Sequence, residues 1–238
     1  MTDLKQEMTA YWTERAEAFS ALRRREFQGE KHDLWLSELQ SHIPAGTHWR
    51  ILDLGTGSGF FALLLAACGH TVTGVDLTEA MIREARRTAR ELGLPAEFLV
   101  MDAEAPAFAP RSFDAIVTRN LTWGLPHLRE AYRAWHGLLK PGGVLLDFDA
   151  DYCREAPPDH LPAHHAHQDI SAGLMARYES FKDALRPGQK PRPHWDAELL
   201  RDAGFHDVSV DTGVWKRVYP REDEFYNPTP IFKIAAYA

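Results

Sequence analysis

Between Arg50 and Ala66 the sequence reads RILDLGTGSGFFALLLA, with glycines at 55, 57 and 59 between an apolar run and a segment of helical character. Three glycines in five residues constrain this chain more than any other feature. They call for a tight strand-to-helix turn whose backbone N–H groups approach a ligand closely, because a Cβ there would collide with it. The dinucleotide fingerprint Gly-x-Gly-x-x-Gly places its last glycine where this chain has Phe60, and the third glycine comes one residue early, at Gly59. A large aromatic at the helix start speaks against a pyrophosphate. Asp53, two residues ahead of Gly55, would repel a phosphate and suits a cationic group such as the ammonium of an amino acid.

The turn sits in a repeating pattern. Apolar runs at 50–54, 71–76, 96–102, 113–119 and 143–149 alternate with helical segments at 59–68, 79–92 and 126–139, the sign of a parallel sheet covered on both faces. Thr78 is read as the N-cap of the second helix and LKPGG as the stop of the third. The rhythm breaks after 150 with a Pro- and His-rich stretch, a helix-like SAGLMARYESFKDAL and a loop RPGQKPRPH. It resumes with a helix at 195–203 and strands near 205–212 and 231–237. Residues 3–43 read as two helices. A length of 238 residues, 45% hydrophobic, suits one α/β core with an insertion. The expected divisions are 1–44, an N-terminal helical lid; 45–150, the ligand-binding core; 151–193, a helical insertion forming part of a second site; and 194–238, the end of the sheet.

Several function classes are disfavoured. A net charge of −7 gives no clustered basic surface for nucleic acid. No run approaches the length of a membrane span and the start has no signal-peptide pattern, so a cytoplasmic protein is expected. The two cysteines, Cys68 and Cys153, are too few for a disulfide framework or thiolate metal site.

Two further acids fall at strand ends. Asp76 closes VTGVD, where a carboxylate accepts hydrogen bonds from both hydroxyls of a ribose. Asp102 closes FLVMD, where a carboxylate can accept from an exocyclic purine amine. Together, ILDLGTGSGF, VTGVDLT, MDAE, FDAIVTRNLTW and LKPGGVLLDF resemble, in order and spacing, the motifs of the class I S-adenosylmethionine-dependent methyltransferases of the small-molecule type. The resemblance covers about 45–150 well. It implies a doubly wound, mostly parallel seven-stranded Rossmann-like sheet whose last strand is antiparallel. S-adenosyl-L-methionine would be the cofactor, bound by Asp53, Gly55, Thr56, Gly57, Asp76, Leu77, Met81, Asp102, Ala103 and Glu104. The stretch YWTERAEAF resembles the lid helix of that family, with Tyr11 and Trp12 covering the methionine end and Arg15 meeting its carboxylate. Arg119 and Asn120, leaving the fourth strand where the methyl group points, are the candidate catalytic residues, and Arg119 also a cofactor contact.

A base is needed only for a protonated acceptor; the candidates are Asp149, Asp151 and His127. Trp123, Tyr152 and Trp195 are candidate walls for a flat or cationic acceptor. His160, His164, His165 and His167 lie close together, but interleaved prolines and absent cysteines point to a pocket or surface role and to no metal site. The expected partner is a small-molecule methyl acceptor, with no nucleic acid and no membrane, in a monomer or homodimer. A nicotinamide-dependent oxidoreductase and a non-catalytic S-adenosylmethionine-binding protein are the alternative readings.

Overall fold

A strand of consecutive apolar residues can be satisfied only between two covered faces. In β1 (Arg50–Leu54), Ile51, Leu52 and Leu54 are accordingly without solvent exposure. The computed structural model describes residues 2–154, 165–166 and 170–238. The other strands are β2 (Thr71–Asp76), β3 (Ala96–Val100), β4 (Phe113–Arg119), β5 (Leu139–Asp149), β6 (His206–Asp211) and β7 (Phe232–Tyr237). They join β1 in one seven-stranded sheet, ordered β3-β2-β1-β4-β5-β7-β6. β1 through β5 are parallel, and β7 runs antiparallel to both neighbours. The order reverses between β1 and β4, and the carboxyl ends there open the crevice in which such sheets bind ligands.

The helices are α1 (Thr2–Gln28), α2 (Lys31–Gln40), α3 (Phe60–Ala67), α4 (Glu79–Leu92), α5 (Leu128–Leu138), α6 (Ala172–Leu185), α7 (His194–Asp202) and α8 (Val214–Val218). Side chains alternate across β1 and β4 and so feed two cores. Ile51 and Val117 pack with Trp35, the buried residues of α3 and Phe148, while Leu52, Leu54 and Ile116 pack with Tyr132, Trp135 and Leu199 from α5 and α7. α3 is buried from Phe60 to Ala66, which is why its sequence lacks a polar face.

The expected strands 50–54, 71–76 and 113–119 and the helix 79–92 occur at those limits. Two local readings need refinement. LKPGG follows the end of α5 at Leu138 as expected, but it already belongs to the sheet: β5, expected from 143, begins at Leu139, paired with Phe113, and a register shift follows before Ala115 meets Val144. The left-handed turn at Gly142, φ +77°, takes up the extra residues. Thr78 precedes α4 but its side chain does not cap it; Asp76 Oδ1 instead accepts from Thr78 N at 2.8 Å.

Candidate functional site

The glycine turn has φ of +65°, +53° and +91° at Gly55, Gly57 and Gly59, a region side chains other than glycine rarely adopt. Space decides the rest. A Cβ on Gly55 would lie 2.7 Å from Leu121 Cδ1 and one on Gly59 3.0 Å from Phe98 Cζ, whereas at Gly57 only the Phe19 ring approaches, at 3.5 Å. Two of the three glycines therefore answer to neighbouring side chains, and Gly57 is the one with an open cradle.

Carboxylates hold this turn. Asp53 Oδ2 accepts from Thr56 Oγ1 at 2.6 Å and from Ala62 N at 3.1 Å, satisfying a free donor of the first turn of α3. Burial outweighs these hydrogen bonds and pushes the Asp53 carboxyl up to about 7. Asp76 Oδ2 accepts from Gly57 N at 3.0 Å and Oδ1 from Thr78 N; burial raises it as well. Each Asp76 oxygen takes one backbone N–H and keeps a lone pair. Asp102 accepts from Glu104 N and from Lys5 Nζ of α1, the latter at 2.7 Å.

These groups face a cavity of about 220 Å³ between the carboxyl ends of the strands and α1. Asp53, Gly55, Thr56, Gly57, Asp76, Leu77, Met81, Asp102 and Ala103 line it from the sheet. Tyr11, Trp12, Arg15, Phe19 and Arg23 line it from α1, a stripe at helical spacing. Arg15 is buried, makes no hydrogen bond or ion pair among the described residues, and leaves Nε without a partner. Arg119 lies over the Trp35 ring at 4.2 Å and donates from Nη2 to Glu26 Oε1 at 2.9 Å and Tyr219 Oη at 3.2 Å. Burial works against its charge, but Glu26 and Tyr219 outweigh it and hold the guanidinium above its ordinary pKa. Glu26 is wholly buried; burial raises its carboxyl, but Arg119 and Arg23 bring it below the ordinary value.

Beyond Arg119 the wall turns aromatic. Asn120, φ +55°, accepts through Oδ1 from Tyr152 Oη at 3.0 Å, and Asn227 Nδ2 donates to the same hydroxyl at 2.6 Å. Trp123 meets Tyr152 and Tyr178 edge-on at 5.6 and 5.3 Å.

Several predicted residues lie elsewhere. Asp149 is wholly buried and off the cavity, with Oδ2 accepting from Thr122 Oγ1 and Trp123 N and lying 3.6 Å from Arg192 Nη1. Its carboxylate fixes the turn after β4 and does not reach an acceptor. Glu104 is also off the cavity; instead of a cofactor contact or solvated charge it pairs with Lys5 and accepts from His127 N and Nδ1 at 2.6 and 2.9 Å. His127, Asp151 and Trp195 do not line the cavity, because His127 is engaged by Glu104, Asp151 accepts from Arg192 N, and Trp195 packs on the α5–α7 core. His165 is buried and off the cavity wall; His160, His164 and His167 lie outside the described residues. Among the described residues no cluster is placed to hold a metal ion. Lys5, Arg23, Glu26, Tyr178, Tyr219 and Asn227 were missed. Arg23 had a signal, since it continues the Tyr11–Arg15 stripe two turns on; the others are joined to the site only by tertiary packing.

A seven-stranded sheet of this order, with a glycine turn and three strand-end acids around one crevice, defines a Rossmann-like, nucleoside-binding class. Residues 51–143 match the model of a methyltransferase domain. The chain is 30% identical over 168 residues to the ubiquinone biosynthesis O-methyltransferase of Xanthomonas euvesicatoria pv. vesicatoria, covering 67% of this chain and 64% of that protein. It is 25% identical to the ubiquinone/menaquinone biosynthesis C-methyltransferase of Bartonella tribocorum, over 75% and 73% of the two chains. The structure of an S-adenosylmethionine-dependent methyltransferase from Mesorhizobium loti superposes with a TM-score of 0.62, at 20% identity, over 89% of this chain and all of that one. The chain belongs to the class I S-adenosylmethionine-dependent methyltransferases. It spans just under two thirds of the first of these relatives.

Proposed function

We propose that this protein transfers a methyl group from S-adenosylmethionine to a small-molecule acceptor. The observation that carries the reading is the pairing, across one cavity, of the acid-braced Gly57 cradle with the buried guanidinium of Arg15, which has no hydrogen-bond or ion-pair partner among the described residues. An unmatched buried cation opposite three carboxylates is costly unless a ligand brings both an anion and donors. A nucleoside with an amino-acid tail brings both. In this reading Asp76 accepts from the ribose hydroxyls with its remaining lone pairs, Asp102 from the adenine amine, and Asp53 from the α-ammonium, while Arg15 holds the α-carboxylate. Leu77, Met81 and Ala103 flank the base, and Tyr11 and Trp12 close the cavity from α1. Bound there, the cofactor supplies an electrophilic methyl carbon whose bond to sulfur breaks toward sulfur as the acceptor's lone pair attacks.

The chain's work is then to position the acceptor in line and exclude water. Asn120 and Tyr152, hydrogen-bonded to each other, and Arg119 are placed to orient it. The names of the two curated relatives lie in ubiquinone and menaquinone biosynthesis and divide between oxygen and carbon transfer; they support a small-molecule acceptor without choosing the atom. Among the described residues no helix is long and apolar enough to cross a membrane. Phe60 at the helix start and Asp53 under the turn weigh against a nicotinamide cofactor.

Calorimetry with S-adenosylmethionine, S-adenosylhomocysteine and NAD tests the reading. Micromolar binding of the first two is expected, about −8 kcal/mol, with none for NAD. Asp76→Ala should weaken that binding by about 2–4 kcal/mol through two lost hydrogen bonds to a charged acceptor. Unchanged affinity in the variant, or preference for NAD, would overturn the assignment.

A further inference from the structure

The positive charge of the cavity is unevenly placed, with two guanidiniums gathered on one carboxylate away from the strand-end acids. Arg15, Arg23 and Arg119 all line the cavity. Among the described residues Glu26 alone is paired with any of them, sharing its two oxygens between Arg119 and Arg23 while also accepting from Trp35 Nε1 at 3.0 Å. Arg15 has no partner among the described residues, and Nε is buried and unpaired in both Arg15 and Arg23. Arg23 is more than nine-tenths buried, stacks over Phe19 at 4.9 Å and, among the described residues, bonds only through Nη1. Guanidinium does not deprotonate in proteins, so the charge cannot be relieved by losing a proton. Lys5 does not add to the excess, because Asp102 and Glu104 both pair with it.

S-adenosylmethionine leaves the imbalance in place. Its α-carboxylate contributes one negative charge, its α-ammonium is matched by Asp53, and its sulfonium adds one positive charge. Arg15 and the α-carboxylate then cancel, and Arg23 and Arg119 face the single charge of Glu26, a local excess of one to which the sulfonium adds. The adjoining wall is aromatic and neutral: Trp123 stands edge-on to both Tyr152 and Tyr178, and Asn120 and Asn227 share the Tyr152 hydroxyl. The carboxylates that do line the cavity, Asp53, Asp76 and Asp102, stand at the ends of β1 and β2 and just past β3, in the proposed cofactor cradle.

Resting on the methyltransferase reading, we propose that the acceptor is a planar organic anion. Its acid group is held by Arg23 and Arg119, and its flat body lies among Trp123, Tyr152 and Tyr178. Arg119 and Asn120 are consecutive, and Asn120 reaches Tyr152, so one ring bearing a carboxylate spans from the guanidiniums to the aromatic wall. A cationic acceptor, which the aromatics alone would also suit, is disfavoured by the same excess.

Three probes of one shape and different charge decide the point: benzoate, benzamide and benzylamine, titrated by calorimetry into the free protein and into protein loaded with S-adenosylhomocysteine. Benzoate should bind at least tenfold more tightly than benzamide in both states, with benzylamine weakest. Arg23→Gln should erase that preference and Arg23→Lys restore part of it. Equal affinity for benzoate and benzamide, or tighter binding of benzylamine, in the wild-type protein would overturn the proposal whether or not the variants fold. Failure of S-adenosylhomocysteine to bind would instead overturn the methyltransferase reading, and the ranking of probes on the free protein would still report the anion site.

Discussion

Asp53 is the residue on which pH should act most directly. Burial raises its carboxyl from 3.8 to about 7, so between those values the folded chain holds a proton that the unfolded chain has released. Stability without ligand therefore falls as pH rises through that window. An α-ammonium beside Oδ1, which takes no hydrogen bond among the described residues, needs the ionised form, and below pH 7 a proton must leave before the pair can form. Affinity for S-adenosylhomocysteine should fall by up to about tenfold per pH unit below 7, and Asp53→Asn should bind more weakly at pH 8 with a flat profile; a wild-type affinity independent of pH from 5 to 8 would remove Asp53 from the ammonium. The acids and the glycine turn were legible because they adjoin one another along the chain or recur at strand ends. Glu26 was not. Nothing in REFQ distinguishes it from a solvated helix acid until α1 packs against Trp35 and Arg119, and its role depends on contacts 9 and 93 residues away. Asp149 shows the opposite case: its place at a strand's carboxyl end suggested chemistry, but its neighbours Thr122 and Trp123 turn back and consume it.

At the scale of elements, the sheet was readable because buried parallel strands are short apolar runs and amphipathic α4 carries a clean helical period. β5 was misjudged at its start, where Pro141 and two glycines stop α5 and read as a turn; pairing of Leu139 with Phe113 brings them into the strand. α1 is the element whose behaviour follows least from its sequence. It presents Tyr11, Arg15 and Arg23 to the cavity, and Lys5 reaches Asp102, the carboxylate proposed for the adenine amine. Glu14 pairs with Arg177 of α6 at an exposed position, a weak tie. On the reading that α1 is a lid, it would move away and the Lys5–Asp102 pair would loosen as a cofactor enters, and α1 is then expected to open more readily than the buried helices. Amide exchange over residues 8–20 should be faster than in α3 without ligand and slow on adding S-adenosylhomocysteine. Equal protection in both states would make α1 fixed packing and no lid.

For the whole molecule, a buried polar network ties the C-terminal part of the chain to the cavity's far wall. Arg192 bonds Asp196 through Nε at 2.8 Å and Nη2 at 2.5 Å, Thr122 Oγ1 at 2.5 Å and the Ala150 carbonyl at 3.3 Å. Tyr132 Oη lies 2.9 Å from Asp147 Oδ2 and 3.0 Å from Asp196 Oδ1. Three carboxylates crowd one guanidinium, and burial, reinforced by Asp149, raises Asp147 well above its ordinary value. Burial also raises Asp149, although Arg192 works against it. Removing the cation should therefore be severe. Arg192→Met leaves Asp149 and Asp196 uncompensated and should cost about 3–5 kcal/mol, lowering Tm by roughly 6–20 °C for a chain of this length. The pH dependence gives the cause its signature: without the guanidinium, which holds both down, the raised carboxyls of Asp147 and Asp149 rise further, so the folded chain holds protons that the unfolded chain releases. The deficit must then shrink as pH falls toward 5 and grow as it rises. Arg192→Met/Asp196→Leu, which removes a charge of each sign, should recover part of the lost Tm. Thermal melts of both variants from pH 5 to 8 decide it, and a deficit that stays constant with pH would mean that Arg192 acts through packing alone.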